Sequence, residues 1–299
     1  MRIVVTGAEG QLGVELLRTL VPHGKVIGVD LADLDVTHPD CADRVAALDP
    51  DWVVHAAAMT DVDGCERDPA GATAVNAEGT RRVAEGCRRA DAGLVYLSTD
   101  YVFDGRKRAP YTEEDAPAPL NAYGRSKLEG ERVVRRLASR WLIVRTAWLY
   151  GTHGKNFVKT ILGKVKAGER LRVVDDQVGS PTYAADLAGA VTRLLSEGRT
   201  GLFHVTNSGS CSWYEFTREI LRLAGADVVS VDRMASDELN RPARRPAYSV
   251  LENAAWKAAG FPPLRPWPEA LADMLSALRS VDLSTGQMVN KSVDTERTS

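Results

Sequence analysis

An α/β fold, a doubly wound parallel sheet with a smaller C-terminal lobe, is predicted by three features of this chain. Short, continuously apolar and β-branched runs alternate with helical segments through the first half, the pattern of parallel strands buried on both faces. A glycine triplet, Gly7, Gly10 and Gly13, falls directly between the first strand and the first helix. After Tyr150 the alternation loosens, which marks a second lobe. With 299 residues, 44% hydrophobic and 26% charged, the chain can bury a sizeable core and is too apolar for disorder.

The elements follow in order. Arg2–Thr6 (R-I-V-V-T) reads as the first strand, and Leu12, Leu16, Leu17 and Leu20 follow at helical spacing. Lys25–Val29 and residues 51–56, 93–98 and 141–145 read as the next four strands, with helices over 70–90 and 123–138. Helical pattern returns at Phe157–Lys166, 185–195 and Trp213–Ala224, with another strand at 201–206. Ser212 and Glu215 form an S-x-x-E capping box ahead of the last of these helices. A Pro- and Arg-rich stretch (N-R-P-A-R-R-P-A-Y-S) precedes short helices near 253–259 and 268–280. From residue 281 the sequence is polar and aperiodic, a disordered tail. The expected division is a nucleotide-binding domain over 1–150 plus about 183–206, a second lobe over about 151–182 and 207–280, and the tail over 281–299.

Charge narrows the function classes. Lys and Arg number 38 against 40 Asp and Glu, a net charge of −2. That excludes a nucleic-acid binder working through bulk positive charge, so any anion site is local. Cys41, Cys65, Cys87 and Cys211 form no C-x-x-C pair, and His23, His38, His55, His153 and His204 lack metal-ligand spacing. No structural metal is expected, and the thiols read as reduced. No signal-peptide pattern and no apolar run of the ~20 residues that span a bilayer is present. A cytoplasmic protein without a membrane partner is expected.

The glycine triplet sits in T-G-A-E-G-Q-L-G at 6–13. Glycine there permits a tight turn and lets backbone N–H groups approach a pyrophosphate at the positive helix N-terminus, a Rossmann-like dinucleotide site. Asp30 closes the second strand, where a carboxylate can accept from both adenosine ribose hydroxyls and so favours NAD over NADP. Asp35 and Val36 are candidates for the adenine edge. Ala56, Ala57 and Ala58 end the third strand, small enough for a cofactor to lie across them. The fourth strand ends in Ser98-Thr99-Asp100, at the carboxyl edge where such sheets place ligands. Tyr123 and Lys127, spaced Y-x-x-x-K, share one face of a helix. A lysine ammonium beside the phenol favours phenolate. The pair can pass a proton to a developing alkoxide while Thr99 polarises the carbonyl.

These segments resemble the extended short-chain dehydrogenase/reductases, and within them the dTDP-4-dehydrorhamnose reductase family. Carriers of the resemblance are T-G-A-E-G-Q-L-G, H-A-A-A-M-T-D-V-D-G-C-E, S-T-D-Y-V-F-D-G, P-L-N-A-Y-G-R-S-K-L-E-G-E, R-T-A-W-L-Y-G, D-D-Q-V-G-S-P-T and R-P-A-Y-S-V-L, in this order. The resemblance implies reduction of the C4 ketone of dTDP-4-dehydro-β-L-rhamnose by NADPH or NADH. Tyr123 would be the proton donor, Lys127 its partner and a nicotinamide-ribose ligand, and Thr99 the carbonyl-polarising hydroxyl. Thr99, Asp100 and Trp148 would meet the sugar. Gly10, Gln11, Leu12, Asp30, Asp35, Val36 and the three alanines would line the cofactor site. Arg241, Arg244 and Arg245 are candidates for the sugar-nucleotide diphosphate, since guanidinium forks match phosphate oxygens, with a solvated basic loop the alternative for Arg241 and Arg244. His55 stands where the family usually has asparagine, and Tyr248 replaces a frequent asparagine. A homodimer around Mg2+ is left open by the resemblance, with no ligands identifiable in this sequence.

Alternatives from the same residues are a reductase of a related dTDP-4-keto-deoxysugar such as one of the streptose branch, a sugar-nucleotide epimerase or dehydratase, and a non-catalytic NAD(P)-binding regulatory subunit. Dehydratases of the superfamily carry a glutamate directly after the T-D at the strand end, where this chain has Tyr101.

Overall fold

The computed structural model describes residues 1–284. At its centre lie six parallel strands, β1 (Arg2–Thr6), β2 (Lys25–Val29), β3 (Trp52–His55), β4 (Gly93–Thr99), β5 (Trp141–Thr146) and β6 (Gly201–His204), in the order β6-β5-β4-β3-β1-β2. Ile3, Val4 and Val5, then Val53 and Val54, then Leu94 and Val95 are fully buried, because helices cover both faces and each strand must be apolar on both sides. On one face α1 (Gln11–Leu20) and a later helix over Ala184–Ser196 pack Leu16 and Leu20 against Leu187, Val191 and Leu194. On the other, α2 (Cys41–Ala47), α3 (Thr80–Arg89) and α4 (Ala122–Leu137) pack Val45, Val83 and Val134 around Tyr96. Burying one such Val or Leu contributes roughly 1.5–3 kcal/mol, so two continuous layers fix the sheet.

The helix expected over 70–90 is three pieces: Pro69–Thr73, a π-helical turn over Ala74–Gly79, and α3. The wide turn is held by Asn76, whose amide donates to the Met59 carbonyl at 3.0 Å and to Ser126 Oγ at 2.9 Å, and accepts from the Met59 N–H at 2.8 Å. It pins the loop after β3 to α4.

The remaining residues build short elements around a second core. Leu149–Tyr150 pairs with Thr182–Tyr183, Leu171–Val174 with Val231–Met234, and Val178–Gly179 with Cys211–Ser212. Helices Phe157–Lys166, Trp213–Ala224 and Trp267–Ser284 surround Phe216, Ile220, Leu271 and Met274. The capping box forms: Ser212 Oγ accepts from the Glu215 N–H at 3.1 Å, and the Glu215 carboxylate from the Ser212 N–H at 2.8 Å. Trp256 and Phe261 come late in sequence yet join the sheet-side core. Residues 281–284 continue the last helix, and the rest of the expected tail lies outside the described residues.

Because β1 is flanked by β2 on one side and β3 on the other, the crevice opens at their carboxyl ends, the point where ligands bind in such sheets.

Candidate active site

A cavity of about 640 Å³ opens at that crevice. Gly7, Gly10, Gln11, Leu12 and Gly13 form one wall, Ala56 and Ala58 a second, and Thr99, Asp100, Tyr123, Lys127 and Trp148 a third. Gly7 has φ +69, and a Cβ on it would meet the Ala57 backbone at 2.7 Å; one on Gly13 would meet the Gly7 carbonyl at 2.0 Å. The loop is therefore as close to β3 and to itself as glycine allows. Gly10, the N-cap of α1, has no side-chain cap, and the first turn carries no acid. Its free N–H groups and dipole suit a phosphate, and the residues present fit a dinucleotide.

Other candidates stand apart from these walls. The Asp30 carboxylate accepts from the Glu9 and Leu31 N–H groups, both at 2.8 Å, tying the glycine loop to the end of β2. Asp35 accepts from the Thr37 hydroxyl at 2.7 Å and the Thr37 N–H at 2.8 Å, and these bonds hold its carboxyl below the usual range. Val36 is buried in the core beside Gly79. Ala57 lies under Gly7 with its N–H toward Thr6.

The chemistry-bearing residues come from β4 and α4. Asn121 caps α4 by accepting from the Gly124 N–H at 2.8 Å, and this starts the helix at Ala122, one residue before Tyr123. Gly124 is needed there, since a Cβ would fall 2.1 Å from the Tyr101 carbonyl. Tyr101 meets the Tyr123 ring edge to face at 5.8 Å. Burial pushes the Tyr123 phenol above its ordinary value, and the nearby Thr99 hydroxyl opposes this. Lys127 is 3% exposed, with Nζ over the Tyr96 ring at 4.1 Å. Burial lowers its ammonium to about 7, opposed by Glu131. The expected phenolate-favouring lysine is thus not what sets Tyr123 in this structure: desolvation dominates both groups and keeps the phenol protonated.

Asp100 is 2% exposed and raised to about 7 by burial, opposed by the neighbouring Ser249 and Thr99 hydroxyls. Its Oδ1 accepts from Thr99 Oγ1 at 3.0 Å, whereas Oδ2, like Thr146 Oγ1, is buried without a partner among the described residues. Both residues line the cavity, so these orphan atoms are ready for a polar ligand. Trp148 has φ +44, uncommon for a bulky residue. The turn lays its ring over Gly179 and stacks it on Trp213 with centroids 3.5 Å apart.

His55 is buried under the site. Thr80 donates its hydroxyl to the Asn76 carbonyl at 2.8 Å, so the 3.1 Å contact between His55 Nε2 and Thr80 Oγ1 runs from an Nε2–H. His55 Nδ1 then accepts from the Thr6 hydroxyl at 2.7 Å. Burial, with the Lys127 charge, drops its pKa to about 3. It is a neutral, satisfied core histidine.

A second cavity of about 750 Å³ shares Tyr101, Phe157 and Trp213 with the first. Arg241 and Arg245 border it. Arg245 donates to both Asp63 oxygens at 2.9 Å. Sequence reasoning missed Tyr101, Thr146, Phe157 and Trp213 as cavity walls. The aromatic-dense W-Y-E-F segment behind the capping box was the available signal. Among the described residues no three His, Cys, Asp or Glu side chains cluster as a metal site. None of its described helices is long and apolar enough to cross a membrane.

The family described as RmlD substrate binding domain matches residues 1–280. A probable dTDP-4,6-dihydroxy-2-methyloxan-3-one 4-ketoreductase of Streptomyces antibioticus is 44% identical over 281 residues, covering 91% of this chain and 94% of the relative. A dTDP-4-dehydrorhamnose reductase of Streptomyces griseus is 43% identical over 285 residues, covering 93% and 94%. The dTDP-4-dehydrorhamnose reductase of Bacillus anthracis, solved with NADP, superposes with a TM-score of 0.89 at 40% identity, covering 92% of this chain and 99% of that one.

Proposed function

The chain belongs to the RmlD substrate binding domain family, and from that premise we propose that it is an NAD(P)H-dependent oxidoreductase converting dTDP-4-dehydro-β-L-rhamnose to dTDP-L-rhamnose. The observation that carries this reading is the meeting of Thr99, Tyr123 and Lys127 in one cavity with the glycine loop.

A nicotinamide, when bound, supplies the hydride for C4. The chain's own residues handle the proton and the charge. Tyr123 Oη, kept protonated by burial, is the acid that gives its proton to the C4 oxygen. Thr99 lines the same cavity, and its hydroxyl, which donates to Asp100 Oδ1 at 3.0 Å in this structure, would turn to the ketone oxygen to polarise it. Once the proton has left, the Lys127 ammonium offsets the phenolate charge until solvent restores the phenol. Asp100 Oδ2 and Thr146 Oγ1, buried without partners among the described residues, suit sugar hydroxyls. The second cavity, with Arg241 and Arg245 at its border, suits the nucleotide diphosphate, whose phosphates would compete with Asp63 for the Arg245 fork.

Asp30 favours NADH, because a 2′-phosphate at the end of β2 would meet a carboxylate. The NADP bound by the Bacillus anthracis relative points the other way, so both cofactors belong in the assay. A reductase of another dTDP-4-keto-deoxysugar is the second reading, favoured by the near-equal identity to the two Streptomyces relatives, 44% and 43%. Following nicotinamide absorbance with each cofactor and a panel of 4-keto sugar nucleotides, with product identified by NMR, tests the proposal. Stoichiometric oxidation with dTDP-4-dehydro-β-L-rhamnose supports it. Oxidation only with another 4-keto sugar redirects the substrate, and catalytic return of the cofactor would indicate an epimerase or dehydratase.

A further inference from the structure

Lys127 occupies a costly place. It is almost fully buried at the cavity floor, and no carboxylate among the described residues pairs with it directly. Glu131, one turn further along α4, is committed elsewhere. Its carboxylate takes both prongs of Arg145, Nε to Oε1 at 2.8 Å and the terminal nitrogen to Oε2 at 2.7 Å, and accepts from Ser98 Oγ at 2.6 Å. Both partners of this ion pair are only 2% exposed.

Beneath the ammonium lies the face of Tyr96. That ring reaches its place because position 130 is glycine: a Cβ there would fall 2.1 Å from the Tyr96 hydroxyl and 2.6 Å from the Asn76 carbonyl. Tyr96 Oη donates toward the Asn76 and Lys127 carbonyls at 3.2 and 3.3 Å. The π-helical turn, the missing Cβ and the phenol together fix the aromatic plane under Nζ. A ring face and a buried carboxylate one turn away are the two features here that favour a cation over a neutral amine.

We propose that Tyr96 and Glu131 are positioning residues for Lys127, the ring face and the carboxylate together holding its ammonium charged and in place at the cavity floor. The other groups around Lys127 oppose or are silent: His55 on β3 is neutral, Tyr123 on α4 is a protonated phenol, and Arg145 on β5 balances Glu131 and limits its reach. The role assigned to Lys127 rests on the reductase reading above, but its seat does not.

The test therefore reads Lys127 itself. Competitive labelling of the full chain with acetic anhydride across the neutral to alkaline range, resolved by peptide mass spectrometry, gives the titration midpoint of Lys127. Tyr96→Leu and Glu131→Gln are each expected to lower it by about one pH unit, while Tyr96→Phe, which keeps the ring face and loses only its hydroxyl tether, shifts it by less than Tyr96→Leu. Glu131→Gln keeps one oxygen for Ser98 Oγ and Arg145 Nε but sets an amide N–H against the other Arg145 prong, so Tyr96→Met, which leaves that ion pair intact, serves if Tyr96→Leu or Glu131→Gln does not fold. In turnover with a 4-keto sugar nucleotide, the alkaline limb of kcat/KM moves down by the same amount. Unchanged Lys127 midpoints in folded Tyr96→Leu or Glu131→Gln overturn the proposal. Lowered Lys127 midpoints in the variants, together with a wild-type protein that turns over no 4-keto sugar nucleotide, overturn the reductase reading and leave the seat standing.

Discussion

Replacing Gly13 by alanine puts a methyl group 2.0 Å from the Gly7 carbonyl oxygen and 2.8 Å from the Ala8 Cα. Contacts below about 3 Å are not tolerated at a Cβ, and both obstacles are backbone, so the loop must open by about 1 Å. The loop cannot retreat toward β3, where Gly7 already lies against the Ala57 backbone. A displacement of that size at a phosphate cradle costs on the order of 2–3 kcal/mol of ligand binding, a roughly 30- to 150-fold loss of NAD(P)H affinity. Gly163 is the internal control. It lies inside Phe157–Lys166 with nothing within 4 Å of its Cβ position, so Gly163→Ala should stabilise the fold by about 0.5–1 kcal/mol through helix propensity alone. Cofactor titration by fluorescence and urea unfolding of both variants separate the effects. Gly13→Ala binding cofactor within threefold of the wild type would refute the tight-cradle argument.

Two further outcomes follow from the site's charges. Asp30→Asn keeps an acceptor for the Glu9 N–H but removes the charge facing a 2′-phosphate, so the ratio of kcat/KM for NADPH over NADH should rise about tenfold or more; an unchanged ratio would remove Asp30 from cofactor selection. His55 and His204 fold neutral with pKa values of about 3, below the ~6.5 of an unfolded histidine, so the stability they contribute is full above pH 6.5 and lost as pH falls. Asp100, raised to about 7, acts oppositely by favouring the fold below its folded pKa. At pH 5 unfolding thus takes up about two protons and releases about one, and the chain should be about 1–2 kcal/mol less stable there than at pH 6.5. Urea unfolding at the two values checks this, and a stability that rises on acidification would contradict it.

What could be read in advance was local. Strands β1, β3, β4 and β5 are short apolar runs buried on both faces, and Ser212 announces its helix because capping is a contact within four residues. The glycine loop, Thr99, Tyr123 and Lys127 were legible for the same reason, each being a spacing within one strand-loop-helix unit. What escaped depends on partners distant in sequence. Arg245 meets Asp63 across 182 residues, the short strand pairs have no periodicity of their own, and Trp148 adopts its turn only to stack on Trp213. Lys127 shows the division most clearly. Its face of the helix follows from a four-residue spacing, but the aromatic ring beneath it comes from β4 and from the absent side chain of Gly130, and desolvation rather than the neighbouring lysine governs the Tyr123 phenol.

The central claim is that Tyr123 delivers the proton in a nicotinamide-dependent reduction of a dTDP-4-keto sugar. Turnover of dTDP-4-dehydro-β-L-rhamnose by Tyr123→Phe, beside the wild type and with cofactor affinity measured on both, addresses it most directly. Loss of the acid should lower kcat by roughly 10²-fold or more while NAD(P)H binding stays close to that of the wild type. A folded Tyr123→Phe that retains near-full turnover would contradict the account.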